Sequence, residues 1–186
     1  MFQDCRSLKT IPLLDTSSAG NMGYMFQGCA ALKTIPLLDT SSATNMENMF
    51  QNCTALKTIP LLNTNKVTYI NNMFTNCVSL KVIPLIDTSS ATNMSSMFSS
   101  CSSLTSIPLL NTSSATNMQN MFQNCPLLTD ASLDNILQMC INTTSAYTRT
   151  KTLAQLGFNS TNYPASRIQA LPHYQDFIDA GWTIGY

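Results

Sequence analysis

Charge is scarce in this chain. Nine basic and nine acidic residues among 186 cancel to a net charge of zero and make up only 10% of the sequence. With no basic excess there is no electrostatic footprint for a polyanion, which argues against nucleic acid and anionic membrane surfaces as partners. Glycine is also sparse, at six residues, and no glycine-rich run of the kind that cradles phosphate occurs. The single histidine, His173, has no nucleophile or carboxylate pair that the sequence places around it. Asp176, three residues on, reads as a partner on the same helix face. No catalysis and no cofactor are expected. No stretch approaches the roughly 20 apolar residues needed to cross a bilayer as a helix, so no membrane insertion is expected. The N-terminus lacks the charged and then apolar pattern of a signal peptide. Met1-Phe2 instead stands where Met25-Phe26 stands, so the chain is expected to open in mid-repeat, with any export signal or N-terminal cap upstream.

What is abundant is Ser, Thr, Asn and a strict repeat. Met-Phe recurs at residues 1, 25, 49, 73, 97 and 121, a period of 24 without insertions. Cys5, Cys29, Cys53, Cys77, Cys101 and Cys125 follow three residues after each Phe. Leu8, Leu32, Leu56, Leu80, Leu104 and Leu128 follow three later. A gapless period means that each residue stacks on its own copy in the next coil, about 4.8 Å away where strand pairing joins the coils. Leu32, Ile35 and Leu37 read as the inward face of a short strand, with Lys33, Thr34, Pro36 and Leu38 outside. Proline cannot donate a ladder bond, so this strand is either short or interrupted in every coil. Asp39 to Ser42 read as a turn. Asn45 reads as the N-cap of one or two helical or 3₁₀ turns carrying Met46, Met49, Phe50 and Cys53. The fold class expected is therefore a leucine-rich-repeat-type α/β solenoid: five full coils and a partial sixth over residues 1–128, each with one short strand and one short helical turn.

The columns also define candidate sites. Cysteines in a line do not converge as zinc ligands must, and read as buried free thiols. The column Asp15, Asp39, Asn63, Asp87, Asn111 reads as turn-forming rather than calcium-binding. Lys9, Lys33, Lys57 and Lys81 read as solvated residues that discourage edge pairing or steer an acidic partner. Leu14, Leu38, Leu62, Ile86 and Leu110 either form an exposed apolar stripe or turn inward where the proline shifts the alternation. The candidate interaction face is Lys33, Leu38, Lys57, Leu62, Lys81 and Ile86. The Thr40 and Thr44 columns read as hydrogen-bonding ladders rather than an ice-binding array.

The pattern D-T-S-x-A-T-N-M-x-x-M-F-x-x-C-x-x-L, clearest from Asp39 to Leu56 and from Asp87 to Leu104, resembles the BspA-like leucine-rich repeats of bacterial surface proteins. The resemblance implies a curved solenoid of an extracellular protein, some members of the family resembling adhesins for host proteins or other cells. Two departures stand out: the stretch between Ile and Asp is shortened to Pro-Leu-Leu, and Ala43 replaces a bulkier aliphatic that Val67 retains. Residues 129–186 break the period. Leu133, Ile136, Leu137 and Cys140 suit a helix, Leu153 and Leu156 a second ended by Gly157, and Tyr174, Phe177 and Ile178 a third. Residues 182–186 suit a final strand. This segment is expected to be a mostly helical cap on the solenoid core or an attachment segment. Its ending resembles those of repeat proteins from gut bacteria and their phages. The function expected is a non-enzymatic module on the cell surface or secreted, binding a protein or glycan of a host or neighbouring cell. The alternative is a structural or receptor-binding component of a phage virion or cell envelope.

Overall fold

The structure, a computed structural model, describes residues 1–144, 147 and 149–186. Residues 1–128 wind into stacked coils of 24 residues, and the way each coil spends its backbone hydrogen bonds explains the stacking. From Met22 to Gly28 every second N–H points at the next coil: Met22 to Asn45 O (2.9 Å), Tyr24 to Glu47 O (3.0 Å), Phe26 to Met49 O (3.0 Å) and Gly28 to Gln51 O (2.8 Å). The N–H groups that alternate with these close local four-residue turns, Gln27 to Tyr24 O and then Cys29 to Phe26 O, both at 3.1 Å. Such alternation requires left-handed backbone at two positions per coil. These are Tyr24 and Gly28 in one coil, Asn48 and Asn52 in the next, Asn72 and Asn76 in the third, with φ between 56° and 72°. Glycine and asparagine tolerate this region best, which accounts for their placement four residues apart.

The helical or 3₁₀ piece expected after Asn45 is therefore a ribbon of successive turns. A helix would spend its N–H groups inside the coil, whereas the ribbon gives half of them to the neighbour. Asn45 still organises the entry: its Oδ1 accepts the Glu47 N–H at 2.8 Å. The expected strand is also replaced. Among the described residues the coils hold only isolated parallel bridges, such as Asn21 with Asn45 and Val82 with Ser106. In the proline segment Leu32, Ile35 and Leu38 are buried, with Leu37 exposed. That is a period of three, the repeat of polyproline II, which the fixed φ of proline favours over the two-residue repeat of a strand.

The core is a set of ladders. Phe2, Phe26, Phe50, Phe74, Phe98 and Phe122 stack with ring centroids 5.6 to 5.8 Å apart and planes within 10° of parallel. Beside them the cysteines are free, as the sequence implies, but each buried repeat thiol also does something the sequence did not reveal. Cys53 Sγ donates to Phe26 O, Cys77 to Phe50 O and Cys101 to Phe74 O, each at 3.1 Å, tying consecutive coils. Burial pushes the Cys53 and Cys125 thiols up to about 12. Because the thiolate is the nucleophile, a thiol-alkylating reagent at pH 8 is expected to modify exposed Cys5 in the native chain. The six buried cysteines should react only after denaturation, and mass spectrometry of the labelled chain reads this directly. Rapid native labelling of Cys77 would contradict the packing. The Thr40 column is buried: Thr40 Oγ1 donates to Asn63 O (2.8 Å) and Thr88 Oγ1 to Asn111 O (2.8 Å), while Asp39 Oδ1 holds the Ser41 N–H at 3.0 Å. The Ser41 hydroxyl, and after it that backbone bond, hold the Asp39 carboxyl below its ordinary range.

The described residues beyond 128 pack on the last coil and take over its unspent groups. The helix α1 (Asp130–Ile141) is capped by Thr129, whose hydroxyl accepts the Ser132 N–H. Along α1, Ser132 Oγ accepts from Ile107 N (3.1 Å), Asn135 Nδ2 donates to Ile107 O (3.0 Å), and Met139 O accepts from Thr112 Oγ1 (2.5 Å). The second expected helix is a single 3₁₀ turn, Ala154–Leu156, ended by left-handed Gly157. It stands where a further coil would stand, since Asn120 N donates to Gln155 O and Phe122 N to Leu156 O. The Phe158 ring then ends the Phe stack at 6.0 Å from Phe122, tilted by 54°. A short helix α2 (Ala165–Gln169), not foreseen from the sequence, follows Pro164, and α3 (Tyr174–Asp179) packs against α1. The expected final strand is reduced to one bridge, Thr152 with Thr183.

Candidate interaction face

The proline segment, residues 33–39 and its copies, presents its side chains in columns. Lys33, Lys57 and Lys81 are exposed, as the sequence reading requires. Leu38, Leu62 and Ile86 are not: each is 2% exposed and lies in the core. The apolar stripe sits one residue earlier, on Leu13, Leu37, Leu61, Leu85 and Leu109, which are 74, 63, 61, 63 and 40% exposed. The period of three is the reason, since it turns Ile35 and Leu38 inward together and leaves Pro36 and Leu37 outside. The sequence holds a signal for this: Pro precedes the outer leucine in all five coils, and residues flanking a proline do not keep strand alternation.

The stripe is shaped. Between Leu13, Leu37 and Leu61 runs a groove of about 500 Å³ whose far wall is Asp15, Asp39 and Asn63 with Ser17 and Ser41. It resumes between Leu85 and Leu109 beside Asp87 and Asn111 as a hollow of about 370 Å³. On the opposite side a groove of about 540 Å³ lies along Lys57, Thr58, Lys81 and Val82. One face thus carries a basic column, a central proline and leucine band, and an acidic or amide column. Among the described residues no lysine of the basic column and no carboxylate of the acidic column forms an ion pair.

Polar contacts also tie the segment after residue 128 together. His173 Nδ1 lies 2.7 Å from Asp134 Oδ2, and the His173 backbone N–H donates to Asp134 Oδ1 at 3.0 Å. The partner is therefore on α1, not Asp176, and the contact fastens α3 to α1. Arg167 binds Asp130 Oδ1 at 2.7 Å and Leu128 O at 2.9 Å. Among the described residues no group of three or more His, Cys, Asp or Glu side chains is placed to hold a metal ion, and no helix is long and apolar enough to cross a membrane.

Stacked, gapless coils closed on a shared side-chain core define a repeat solenoid. The family model described as "Mycoplasma protein of unknown function, DUF285" matches residues 1–106 and again 57–157, and the chain belongs to that family. No curated protein matches it. Among solved structures, a leucine-rich repeat protein of Eubacterium ventriosum is 20% identical, covering 47% of this chain and 23% of its own, with a TM-score of 0.38. The leucine-rich repeat protein TpLRR of T. pallidum is 23% identical, covering 57% of this chain and 59% of its own, with a TM-score of 0.41. The chain thus matches less than two thirds of the length of either.

Proposed function

We propose that this chain is a non-enzymatic protein-binding repeat module of a bacterial surface or secreted protein, and that residues 33–39 with their copies in the other coils form its binding face. The observation that carries the reading is the leucine stripe. Five large aliphatic side chains stand exposed in one continuous band with grooves beside it, whereas a monomeric soluble surface seldom keeps a large contiguous apolar patch without a partner to cover it. The resemblance to BspA-like repeats supports a cell-surface setting. Lys33, Lys57 and Lys81 flank the stripe and set its electrostatic character, while Leu38, Leu62 and Ile86 hold it from beneath. In this reading residues 129–186 close the solenoid, because α1 and the 3₁₀ turn satisfy the last coil's backbone in place of a further coil.

Binding to a panel of host matrix proteins and glycans, measured by surface plasmon resonance, tests the proposal. Leu37→Asp combined with Leu61→Asp is expected to weaken any saturable protein binding at least about 100-fold, as loss of central apolar anchors does. The melting temperature should change little, both side chains being exposed. Binding that survives this double substitution would move the site off this face.

A further inference from the structure

The face described above is complementary to itself. In the coils where the basic position is Lys9, Lys33 and Lys81, the acidic position six residues later is Asp15, Asp39 and Asp87; where the basic position becomes Thr105, the acidic one becomes Asn111. Only Lys57 with Asn63 breaks the pairing. The midpoint of each pair falls on a proline: Pro12, Pro36, Pro84. Each column sets like charges above one another, an arrangement that is internally repulsive. Among the described residues neither column finds a counter-charge in its own chain.

We infer that the partner this face fits is a second copy of the same chain, bound face to face about a two-fold axis that runs along the proline column, parallel to the stack of coils. The inference rests on the reading of this face as the binding face. Rotation about that axis brings the lysine column of one copy onto the aspartate column of the other at both edges, coil by coil, and lays each leucine stripe beside the other copy's prolines. A two-fold axis across the stack would instead set lysine on lysine and aspartate on aspartate, which electrostatics disfavours. A two-fold contact of this kind is self-closing, so it yields a dimer and not a filament. The columns stay in register over several coils because each coil joins the next through the same backbone bonds, and from Phe2 to Phe98 successive ring planes differ by only 5 to 6°. Seven extended residues across and five coils along give a footprint of roughly 20 Å by 20 Å per copy. That is small beside the roughly 800 Å² per partner of a standard interface, so the dimer is expected at micromolar concentration.

Sedimentation equilibrium of the full chain from roughly 1 to 300 µM, a range that brackets micromolar affinity, is expected to show a monomer–dimer equilibrium. Leu37→Asp with Leu61→Asp should raise its dissociation constant at least about 10-fold. Lys33→Glu with Lys81→Glu should leave one chain monomeric, and Asp39→Lys with Asp87→Lys another, while an equimolar mixture of the two, each shown folded by its melting curve, regains the dimer. The proposal is overturned by a wild-type chain that stays monomeric over the whole range, or by a dimer indifferent to the leucine substitutions. It is equally overturned by folded charge variants whose mixture does not associate. A monomeric chain that still binds a foreign protein through Leu37 and Leu61 would remove the dimer and leave the proposed function standing.

Discussion

Phe74→Ala is expected to lower the unfolding free energy by about 3 to 5 kcal/mol, the range for truncating a fully buried aromatic. Phe74 has no exposed surface, and its ring lies between Phe50 at 5.6 Å and Phe98 at 5.7 Å. The substitution removes two ring contacts and leaves a cavity in mid-stack, where neither neighbouring coil can move in without breaking the N–H bonds that join it to the next. Phe2→Ala provides the contrast. Phe2 is half-buried at the first coil and stacks on Phe26 alone, so its loss should cost only about 1 to 2 kcal/mol, a partial share of the same transfer energy. Urea denaturation of both variants beside the wild type measures the difference. Equal midpoints for all three would take the Phe column out of the core.

The second large effect is expected at Gly157. Its φ of 92° lies in the left-handed region, and a Cβ built there would stand 2.6 Å from the Gln123 Cα. Left-handed backbone costs a non-glycine residue about 1 to 2 kcal/mol, and forced contact with backbone adds about 1 to 3 kcal/mol. Gly157→Ala should therefore destabilise the chain by roughly 2 to 5 kcal/mol. Gly181, also left-handed at φ 81°, has nothing within 4 Å of its would-be Cβ. Gly181→Ala thus isolates the backbone cost at about 1 to 2 kcal/mol. If the two substitutions proved equally mild, the turn at residues 154–158 would not be seated on the last coil. Hydrogen exchange would locate the damage, with faster exchange of the Asn120 and Phe122 amides, whose acceptors are Gln155 O and Leu156 O.

The period, the columns and the inward Phe, Cys and Leu were legible in the sequence because a side chain that stacks on its own copy must be the same in every coil. The backbone path was legible only in part. Met46, Met49, Phe50 and Cys53 have helical spacing, yet a ribbon of four-residue turns, each closed between residues three apart, also returns side chains to one side every third residue, so apolar spacing cannot separate the two. What separates them is the pair of positions four apart held by Asn48 and Asn52, Asn72 and Asn76, Asn120 and Asn124, where asparagine serves a left-handed φ. Tyr24 and Ser96, at the same position of their coils, blur that signal. The exposed leucine column lies one residue before Leu38, Leu62 and Ile86. Reading residues 32–38 with a strand's period of two puts Leu37 inside and Leu38 outside, and the proline's period of three reverses them. The thiol bonds to the neighbouring coil's carbonyls were not legible at all, since a buried cysteine reads as a small hydrophobe whether or not its Sγ finds an acceptor. Nor was the pairing of His173 with Asp134, which depends on how α3 docks on α1.

Every join between coils uses the same donors and acceptors: the alternate N–H groups of the turn ribbon, the thiol to the Phe carbonyl, the buried threonine to the turn carbonyl. A gene segment encoding 24 residues, duplicated or lost in frame by recombination between its own near-identical copies, would thus add or remove one coil without altering a single type of contact, since each coil touches only its neighbours. The length of the exposed band, and with it the number of anchors presented to a partner, is in this architecture a property that copying errors can adjust one step at a time.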